Sequence, residues 1–275
     1  MADDFDRTRF LARLGARTLG RSLRVLASTA STNDDAWDLL AGPDTRSGAP
    51  SDGAVVVALE QTHGRGRAGR AWSQVPGRGL ALSVVLRLGC DVRQAGVIPL
   101  AAGLAAARAA HALGVPGARL RWPNDVLVRG RKLAGVLCEV RRAAGGSEAV
   151  VIGLGMNVRH TREEFPEELR DRATSLALEG ARVGVEDAAA AFLTELEPLW
   201  DQLENRNRAA VLAEWSRWGA HWGERVHVRT PAGPVEGIAQ RLDADGGLVL
   251  RSDAGAEHTV LAGDVTPSKE GCDVA

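Results

Sequence analysis

The 275-residue sequence contains few cysteines and none in a spacing that would give them a structural use. Its three cysteines, Cys90, Cys138 and Cys272, lie far apart, and no CxxC or HxxxH pair occurs. Neither a disulfide framework nor a zinc site is indicated. We therefore expect free thiols in a reducing compartment, and no metal ion held by the protein's own side chains.

Long hydrophobic runs are also absent. The most apolar stretch, residues 95–115, is interrupted by Arg108 and His111, which is typical of a buried helix and not of a membrane span. The first ten residues, MADDFDRTRF, contain acids and arginine where a signal peptide would need an apolar core. The sequence predicts a soluble, cytoplasmic protein that does not enter a membrane.

An excess of one charge sign is missing as well. The chain has 34 Lys and Arg against 35 Asp and Glu, a formal net charge of −1. Overall charge therefore gives no reason to expect a nucleic-acid partner, and any electrostatic specialisation must be local. The length allows one large domain, or a large domain followed by a small one.

The patterning of the first 222 residues predicts strands mixed with helices. Neighbouring strands joined by hairpins, with helices on one side, indicate an α+β fold with a mixed sheet and not a doubly wound sheet. A hairpin turn is expected at Arg129–Arg131. Strands are expected over residues 55–59, 81–88, 125–128, 132–140 and 149–158, and helices over residues 34–40, 94–113, 186–204 and 208–218.

The pattern of apolar and polar residues changes after Trp222. Short alternating runs such as ERVHVRT and GGLVLRSD are separated by Gly, Pro and Asp. They predict a small all-β barrel of roughly fifty residues. We therefore divide the chain into domains at 1–222 and 223–275. Trp215, Trp218 and Trp222 have helical spacing, so we expect them in the core or at the junction with the β domain.

Glycine and arginine are concentrated in one short segment, residues 64–70, directly after the first predicted strand. Backbone N–H groups freed by glycine, beside arginine guanidinium groups, suit phosphate or carboxylate oxygens. No GxxxxGK[ST] sequence is present, so the segment is not a Walker loop. An RNA-binding patch and a solvated turn remain alternatives at this point.

Two further motifs could supply partners for that loop. Trp122-Pro123-Asn124-Asp125 places an aromatic surface, a rigid turn and two hydrogen-bonding side chains before a strand, and Lys132 begins the next strand. A lysine held by strand geometry can act as a fixed charge beside a phosphate. In the segment GLGMNV the sixth position is Val158 and not glycine, which argues against a dinucleotide fingerprint. Glycines at a buried strand end instead allow a ligand to approach the backbone.

Five motifs together resemble the biotin protein ligase family. They are STNDDA, QTHGRGRAGRAW, RWPNDVLVRGRKLAGVLCE, GLGMNV and ATSL, in the family's order and spacing, and the resemblance extends from residue 28 over nearly all of the chain. It implies a class II synthetase-like catalytic domain followed by an SH3-like barrel. It also implies a two-step reaction, in which biotin and Mg-ATP give biotinyl-5′-AMP and pyrophosphate. Biotin then passes to a lysine of the carrier domain of acetyl-CoA carboxylase or a related carboxylase.

The resemblance also implies roles for individual residues. Lys132, Arg67 and Arg65 match catalytic positions, and Asp125 is our hypothesis for the residue that orients the acceptor lysine. ATP and the adenylate are assigned to Arg67, Trp72, Asn124, Lys132 and Asn157. Biotin is assigned to Ser31, Thr32, Asn33, Gln61, Gly64, Arg65, Gly66, Arg67, Lys132, Gly135 and Gly153.

Three features depart from the family's pattern. Arg121 stands where a lysine is usual, so we leave it out of the catalytic set. His63 replaces a small residue, and we expect it to be a solvated loop side chain. Only about 27 residues precede the resemblance, fewer than the roughly 50 or more of a helix-turn-helix domain, so we expect no DNA binding.

Three alternatives belong to other functional classes. A lipoate or octanoate ligase is the nearest enzyme, but the GRGRAGR loop, RWPND and the β domain favour biotin. A nucleic-acid-binding protein is disfavoured by the balanced charge and by the lack of aromatic residues within residues 64–70. A biotin sensor without catalysis is disfavoured by the intact Lys132 and Arg67. The family includes monomers and dimers, so a monomer and a homodimer both stay open.

Overall fold

A seven-stranded sheet forms the centre of the first domain. The computed structural model describes residues 5–41, 52–88, 96–142 and 148–267. The sheet order is β1-β2-β3-β7-β6-β5-β4, with β1 and β2 parallel and every other neighbouring pair antiparallel. Its strands are β1 (Leu23–Leu26), β2 (Val55–Ala58), β3 (Gly79–Leu88), β4 (Ala118–Arg121), β5 (Asp125–Val128), β6 (Arg131–Arg142) and β7 (Glu148–Asn157). The predicted mixed sheet is confirmed.

Five α-helices accompany the two sheets in the described part of the chain. They are α1 (Arg7–Arg13), α2 (Thr32–Ala41), α3 (Ile98–Ala112), α4 (Val185–Glu204) and α5 (Arg208–Trp218). Pro99 stands in the first turn of α3, where its missing N–H costs no helical hydrogen bond. The predicted start of this helix at residue 94 lies outside the described residues. None of the described helices is long and apolar enough to cross a membrane.

The helices lie on both faces of the sheet, whereas the sequence pattern indicated one face. Alternate residues of a strand point to opposite faces. Val55 and Val57 join the main core with α3 and α4, while Val56 joins a smaller cluster with Trp37 of α2. Because all four residues of β2 are buried, both faces of this strand must be covered. The one-sided arrangement was therefore wrong, and α2 is the cover of the second face.

Two strands were not predicted. The strand β1 lies before the first element expected from the sequence, and β4 lies just before the Trp122-Pro123 turn. Both have four residues and form the two edges of the sheet, and half-buried edge strands lack the continuous apolar pattern of the central strands.

A five-stranded antiparallel sheet forms the small C-terminal domain and confirms the predicted β domain. Its order is β11-β10-β9-β8-β12, and its strands are β8 (Arg225–Thr230), β9 (Gly233–Leu242), β10 (Leu248–Arg251), β11 (Glu257–Val260) and β12 (Asp264–Pro267). The two domains share a core, in which Trp215 is 1% exposed and its ring lies 5.9 Å from that of Trp222. The indole Nε1 of Trp122 donates a hydrogen bond to the carbonyl of Gly246, at 2.9 Å. The boundary at residue 222 stays a prediction.

Candidate functional site

A cavity of about 600 Å³ lies on the α2 face of the sheet. Its walls come from the start of α2, the loop of residues 61–75, and strands β6 and β7. Fourteen of the sequence-predicted site residues line it, and Gly64 lies in the loop behind them. The fourteen are Ser31, Thr32, Asn33, Gln61, Arg65, Gly66, Arg67, Trp72, Asn124, Asp125, Lys132, Gly135, Gly153 and Asn157.

Small residues form the floor of this cavity. On three adjacent strands, Ala81, Gly155 and Gly135 lie at one register position, and Ser83 and Gly153 lie at the next position on the same face. A methyl group at Gly153 would lie 2.3 Å from Oδ1 of Asn33, and one at Gly155 would lie 2.3 Å from Cε2 of Trp72. The glycines therefore admit polar and aromatic side chains from above the sheet. The close approach of a ligand to Gly153 and Gly135 stays a prediction.

A hydrogen-bonded cluster closes one end of the cavity. Oε1 of Gln61 accepts hydrogen bonds from the backbone N–H of Thr32, at 2.9 Å, and from its hydroxyl, at 3.1 Å. Ser83 Oγ lies 2.7 Å from both Thr32 Oγ1 and Asn33 Oδ1. Sequence reasoning missed Ser83, although it is the one polar residue in the apolar strand segment ALSVVL.

The other end of the cavity holds a buried carboxylate between two cations. Asp125 Oδ1 lies 2.6 Å from Lys132 Nζ, and Oδ2 lies 2.6 Å from Nη2 of Arg121. Burial by itself would raise the pKa of the Asp125 carboxyl, but the charges and hydrogen bonds of Lys132 and Arg121 outweigh it and lower that pKa. Arg121, which the sequence analysis left out of the catalytic set, thus lines the cavity and contacts its buried carboxylate.

Two asparagines fix the strands around Lys132. Asn124 Nδ2 donates to the carbonyl of Val136, at 2.7 Å, and ties the turn before β5 to β6. Asn157 Nδ2 donates to the carbonyl of Thr174, at 2.9 Å, and ties the end of β7 to the ATSL segment. Both asparagines are almost fully buried, so their amides are held in fixed orientations.

The Gly/Arg loop folds back on itself at the cavity entrance. The N–H of Trp72 donates to the carbonyl of Gly64, at 2.8 Å, and a methyl group at Gly64 would lie 2.2 Å from the Trp72 carbonyl oxygen. Only glycine fits at this contact. Inside the loop, the N–H of Gly66 donates to the carbonyl of Arg70, at 2.6 Å.

The arginines of the loop have acidic and polar partners. Arg65 forms two hydrogen bonds to Asp34, at 2.6 and 2.7 Å, and a third to Glu139, at 3.3 Å. The hydrogen bond to Asp34 raises the pKa of Arg65 and lowers that of Asp34. Arg67 Nη1 donates to Oδ1 of Asn124, at 3.1 Å. His63 is exposed, as expected for a solvated side chain, and its Nδ1 lies 3.0 Å from Thr62 Oγ1.

A third part of the cavity wall, which includes His160 and Phe165, was missed by sequence reasoning. His160 is 2% exposed and its ring stacks on Phe165, with centroids 5.0 Å apart. Its Nε2 accepts a hydrogen bond from the N–H of Val75, at 3.3 Å, and burial lowers its pKa. These residues belong to an irregular segment, which gives no periodic signal in the sequence.

The cavity contains fixed cations and no recognisable metal centre. Within the described ranges, no group of three or more His, Cys, Asp or Glu side chains could hold a metal ion. Lys132 and the loop arginines are suited to bind anions, because they are held by neighbouring carboxylates and carbonyls. The arrangement can bring two anionic groups together between a polar pocket and the ring of Trp72.

Comparisons with known proteins identify the family of the chain. A model of the biotin/lipoate A/B protein ligase family matches residues 25–157, and a model of the biotin protein ligase C terminal domain matches residues 221–266. The biotin–[acetyl-CoA-carboxylase] ligase of Mycobacterium tuberculosis is 41% identical over 259 residues, which cover 92% of this chain and 91% of that protein. The ligase of the same name from Paracoccus denitrificans is 34% identical, covering 85% and 95%.

Solved structures show the same fold. The biotin protein ligase from Aquifex aeolicus in complex with biotin and ATP superposes with a TM-score of 0.74 at 26% identity, over 90% of this chain and 98% of that chain. Fold and site thus define the class as the biotin/lipoate A/B protein ligases, followed here by a biotin protein ligase C-terminal domain. Within that class, the chain belongs to the biotin protein ligase family.

Proposed function

We propose that this protein is an ATP-dependent biotin protein ligase. It activates biotin as biotinyl-5′-AMP with release of pyrophosphate, and then transfers biotin to one lysine of a biotin carboxyl carrier domain. The observation that carries the proposal is the position of Lys132. Its ammonium lies 2.6 Å from Asp125 and 5.7 Å from the centroid of the Trp72 ring, inside the glycine-floored cavity.

The polar cluster is the proposed site of biotin's ureido ring. Ser31, Thr32 and Asn33 are at most 4% exposed and offer both donors and acceptors. A buried site with several such groups selects a ring that can pair with all of them, because unpaired groups would be costly. The apolar tail would then lie along Gly153 and Gly135 toward Lys132.

The first chemical step needs positioned positive charge and no general base. A carboxylate is already ionised near neutral pH, so its oxygen can attack the α-phosphorus of Mg-ATP directly. A new bond forms between oxygen and phosphorus as the bond to pyrophosphate breaks. Lys132, Arg67 and Arg65 would offset the repulsion between the two anions and stabilise the charge at phosphorus. Mg²⁺ enters with ATP as part of this substrate.

The nucleotide is assigned to the side of the cavity beyond Lys132. Trp72, which lies over Gly155, offers an aromatic surface for the adenylate, and Asn124 and Asn157 hold the backbone around it. Once the adenylate has formed, closure of residues 64–70 would keep water from the mixed anhydride.

The second step is aminolysis of that anhydride. The acceptor's lysine amine attacks the biotinyl carbonyl carbon, AMP leaves with the electron pair of the broken bond, the nitrogen releases one proton to solvent, and an amide remains. Asp125 is the proposed residue that orients the incoming amine. The names of the relatives favour a carrier domain of acetyl-CoA carboxylase as the acceptor. We propose that this ATP-dependent reaction takes place in the cytoplasm.

Transfer of biotin to a carrier domain tests the proposal. Purified protein, Mg-ATP and biotin should increase the mass of a carrier domain by one biotinyl group at a single lysine. A carrier domain with that lysine replaced by arginine is the matched control. Modification with lipoate or octanoate in place of biotin would assign the protein to the other ligases of the class.

A further inference from the structure

The C-terminal domain contacts the Gly/Arg loop of the catalytic domain through one carboxylate. Asp264 Oδ1 accepts a hydrogen bond from Arg70 Nη2, at 2.7 Å, and lies 3.7 Å from Arg67 Nη1. The neighbouring carbonyl of Gly263 accepts a hydrogen bond from the same Arg67 nitrogen, at 3.2 Å. Two arginines of the loop therefore converge on one turn of the other domain.

This turn is held rigidly by the small sheet. Asp264 begins β12 and pairs with Arg229 on β8. A methyl group at Gly263 would lie 2.6 Å from Cγ1 of Val228 and 2.8 Å from the Arg229 carbonyl oxygen, so only glycine lets β12 begin so close to β8. The carboxylate is thus a fixed point against which the Gly/Arg loop can be positioned.

The loop conformation brings both arginines to that point. Ala68 and Gly69, which separate them, have φ values of 53° and 72°, in the left-handed region. This reverses the chain within two residues, and the N–H and Nε of Arg70 both donate to the carbonyl of Arg67, at 3.2 Å. Arg67 in turn reaches Asn124 in the cavity, so the contact at Asp264 is one side chain away from the site.

We propose that Asp264 is a positioning residue for the ligase reaction. It acts through Arg70 and Arg67, and it holds residues 64–70 closed over the cavity while activated biotin is present. The inference rests on the proposed function for its catalytic meaning. Its structural part, a loop held closed by the C-terminal domain, stands on the contacts themselves.

Ionic strength gives this contact a distinctive signature. The side chain of Arg70 is 55% exposed and that of Asp264 is 26% exposed, so salt reaches the pair and screens it. Salt should therefore loosen the loop in the wild-type protein. A variant without the Asp264 charge has already lost the attraction and should respond less.

The experiment compares Asp264→Asn with Asp253→Asn. Like Asp264, Asp253 forms an ion pair with an arginine, but its partner is Arg225 of the C-terminal domain and not an arginine of the loop. Escape of activated biotin is measured as biotin hydroxamate formed with hydroxylamine, relative to the rate of ATP–pyrophosphate exchange. Asp264→Asn should raise this ratio about fivefold, the factor expected for loss of one partly exposed ion pair. Asp253→Asn should leave it at the wild-type value.

Two further variants separate positioning from folding. Arg70→Gln should raise the escape ratio as Asp264→Asn does, and the double variant should be no worse than either, because both remove the same contact. Asp264→Glu should restore part of the retention. A ratio in Asp264→Asn equal to that in Asp253→Asn, at low salt, would overturn the proposal. So would parallel losses of exchange and of thermal stability without escape.

Trypsin provides a readout that does not need activity. Cleavage after the arginines of residues 64–70 should be about fivefold faster in Asp264→Asn than in Asp253→Asn, for the same reason. Faster cleavage together with no biotin-dependent exchange in any variant would contradict the ligase function and leave the loop contact intact. Equal cleavage would contradict the loop contact itself.

Discussion

The ammonium of Lys132 lies 2.6 Å from Oδ1 of Asp125, whose other oxygen is bound by Arg121. The carboxylate therefore fixes a cation at the centre of the cavity and is itself held by a second one. This arrangement orients the Lys132 side chain before any substrate enters. Such preorganised charge is the main means by which a site stabilises charge that develops during reaction.

Replacement of Lys132 by alanine should slow adenylation far more than it weakens biotin binding. We expect a decrease of about a hundredfold or more in ATP–pyrophosphate exchange, because a preorganised charge at phosphorus is lost. Arg131→Lys is the matched control, since Arg131 points to Glu179 instead, at 2.8 Å. Equal losses in exchange and in biotin affinity, measured by calorimetry, would mean that Lys132 serves ground-state binding.

Asp125→Asn should separate the two half-reactions. Asparagine keeps one of the two acceptor oxygens, and with that oxygen toward Lys132 the ammonium is still held while the contact with Arg121 is lost. Adenylation should therefore continue within a few-fold of the wild-type rate. Transfer to the carrier domain should fall about tenfold or more, because the neutral amide orients an ammonium or amine poorly. Single-turnover transfer from preformed biotinyl-5′-AMP measures this step alone. Normal transfer in this variant would refute the assignment.

The floor of the cavity can be tested with Gly155→Ala. The added methyl group would lie 2.3 Å from the Trp72 ring, so the indole must move away from the floor. We expect KM for ATP to rise about tenfold, while biotin binding changes little. Gly103→Ala in α3 is the control, because its methyl group would lie at an ordinary 3.6 Å from Leu120 and should favour the helix. An unchanged KM for ATP would remove Trp72 from the nucleotide site.

A buried carboxylate in α4 makes a prediction about stability. Glu197 accepts hydrogen bonds from the backbone N–H groups of Arg17, Thr18 and Leu19 and from the Thr18 hydroxyl. Burial alone would raise its pKa, but these hydrogen bonds together lower it from the ordinary 4.5 to about 2. Because the folded-state pKa is the lower one, its stabilisation is complete above about pH 4.5 and is lost as the pH falls toward 2.

Glu197→Gln should therefore destabilise the protein at pH 7 by about 1–3 kcal/mol, the cost of hydrogen bonds to a charged group. The deficit should shrink between pH 4.5 and 2, where the wild-type carboxylate becomes protonated. Urea denaturation over this pH range measures the difference in free energy of unfolding between the two proteins. Asp201→Asn, which alters the more exposed pair with Arg17, should cost less than about 1 kcal/mol. A pH-independent deficit in Glu197→Gln would contradict the assignment.

Local patterns predicted the parts of the fold that depend on neighbouring residues. The hairpin between β5 and β6 is an example, since Arg129 and Gly130 both have positive φ, as a two-residue hairpin turn requires. The long central strands and the helices α4 and α5 likewise follow from periodicity. The edge strands β1 and β4 were missed because a half-buried strand of only four residues is too short to show a clear alternation of apolar and polar residues.

The site was predicted from motifs, but its connections were not. Ser83, Arg121 and Asp264 each reach the predicted residues from another element, and no spacing in the sequence links an arginine of the loop to an aspartate nearly two hundred residues later. The contacts of Ser83 and Arg121 depend on how the strands and α2 pack within the catalytic domain, and that of Asp264 depends on how the two domains pack. They also show why a glycine such as Gly155 matters, since the group that it admits is distant in sequence.

The measurement that tests the central claim most directly is ATP–pyrophosphate exchange by the purified protein, with biotin, lipoate and octanoate run in parallel and no acceptor present. Exchange that depends on biotin, and not on the other two acids, is the predicted result. Exchange with lipoate or octanoate instead would contradict the assignment of biotin. Absence of exchange with all three would contradict acid activation at the Lys132 cavity.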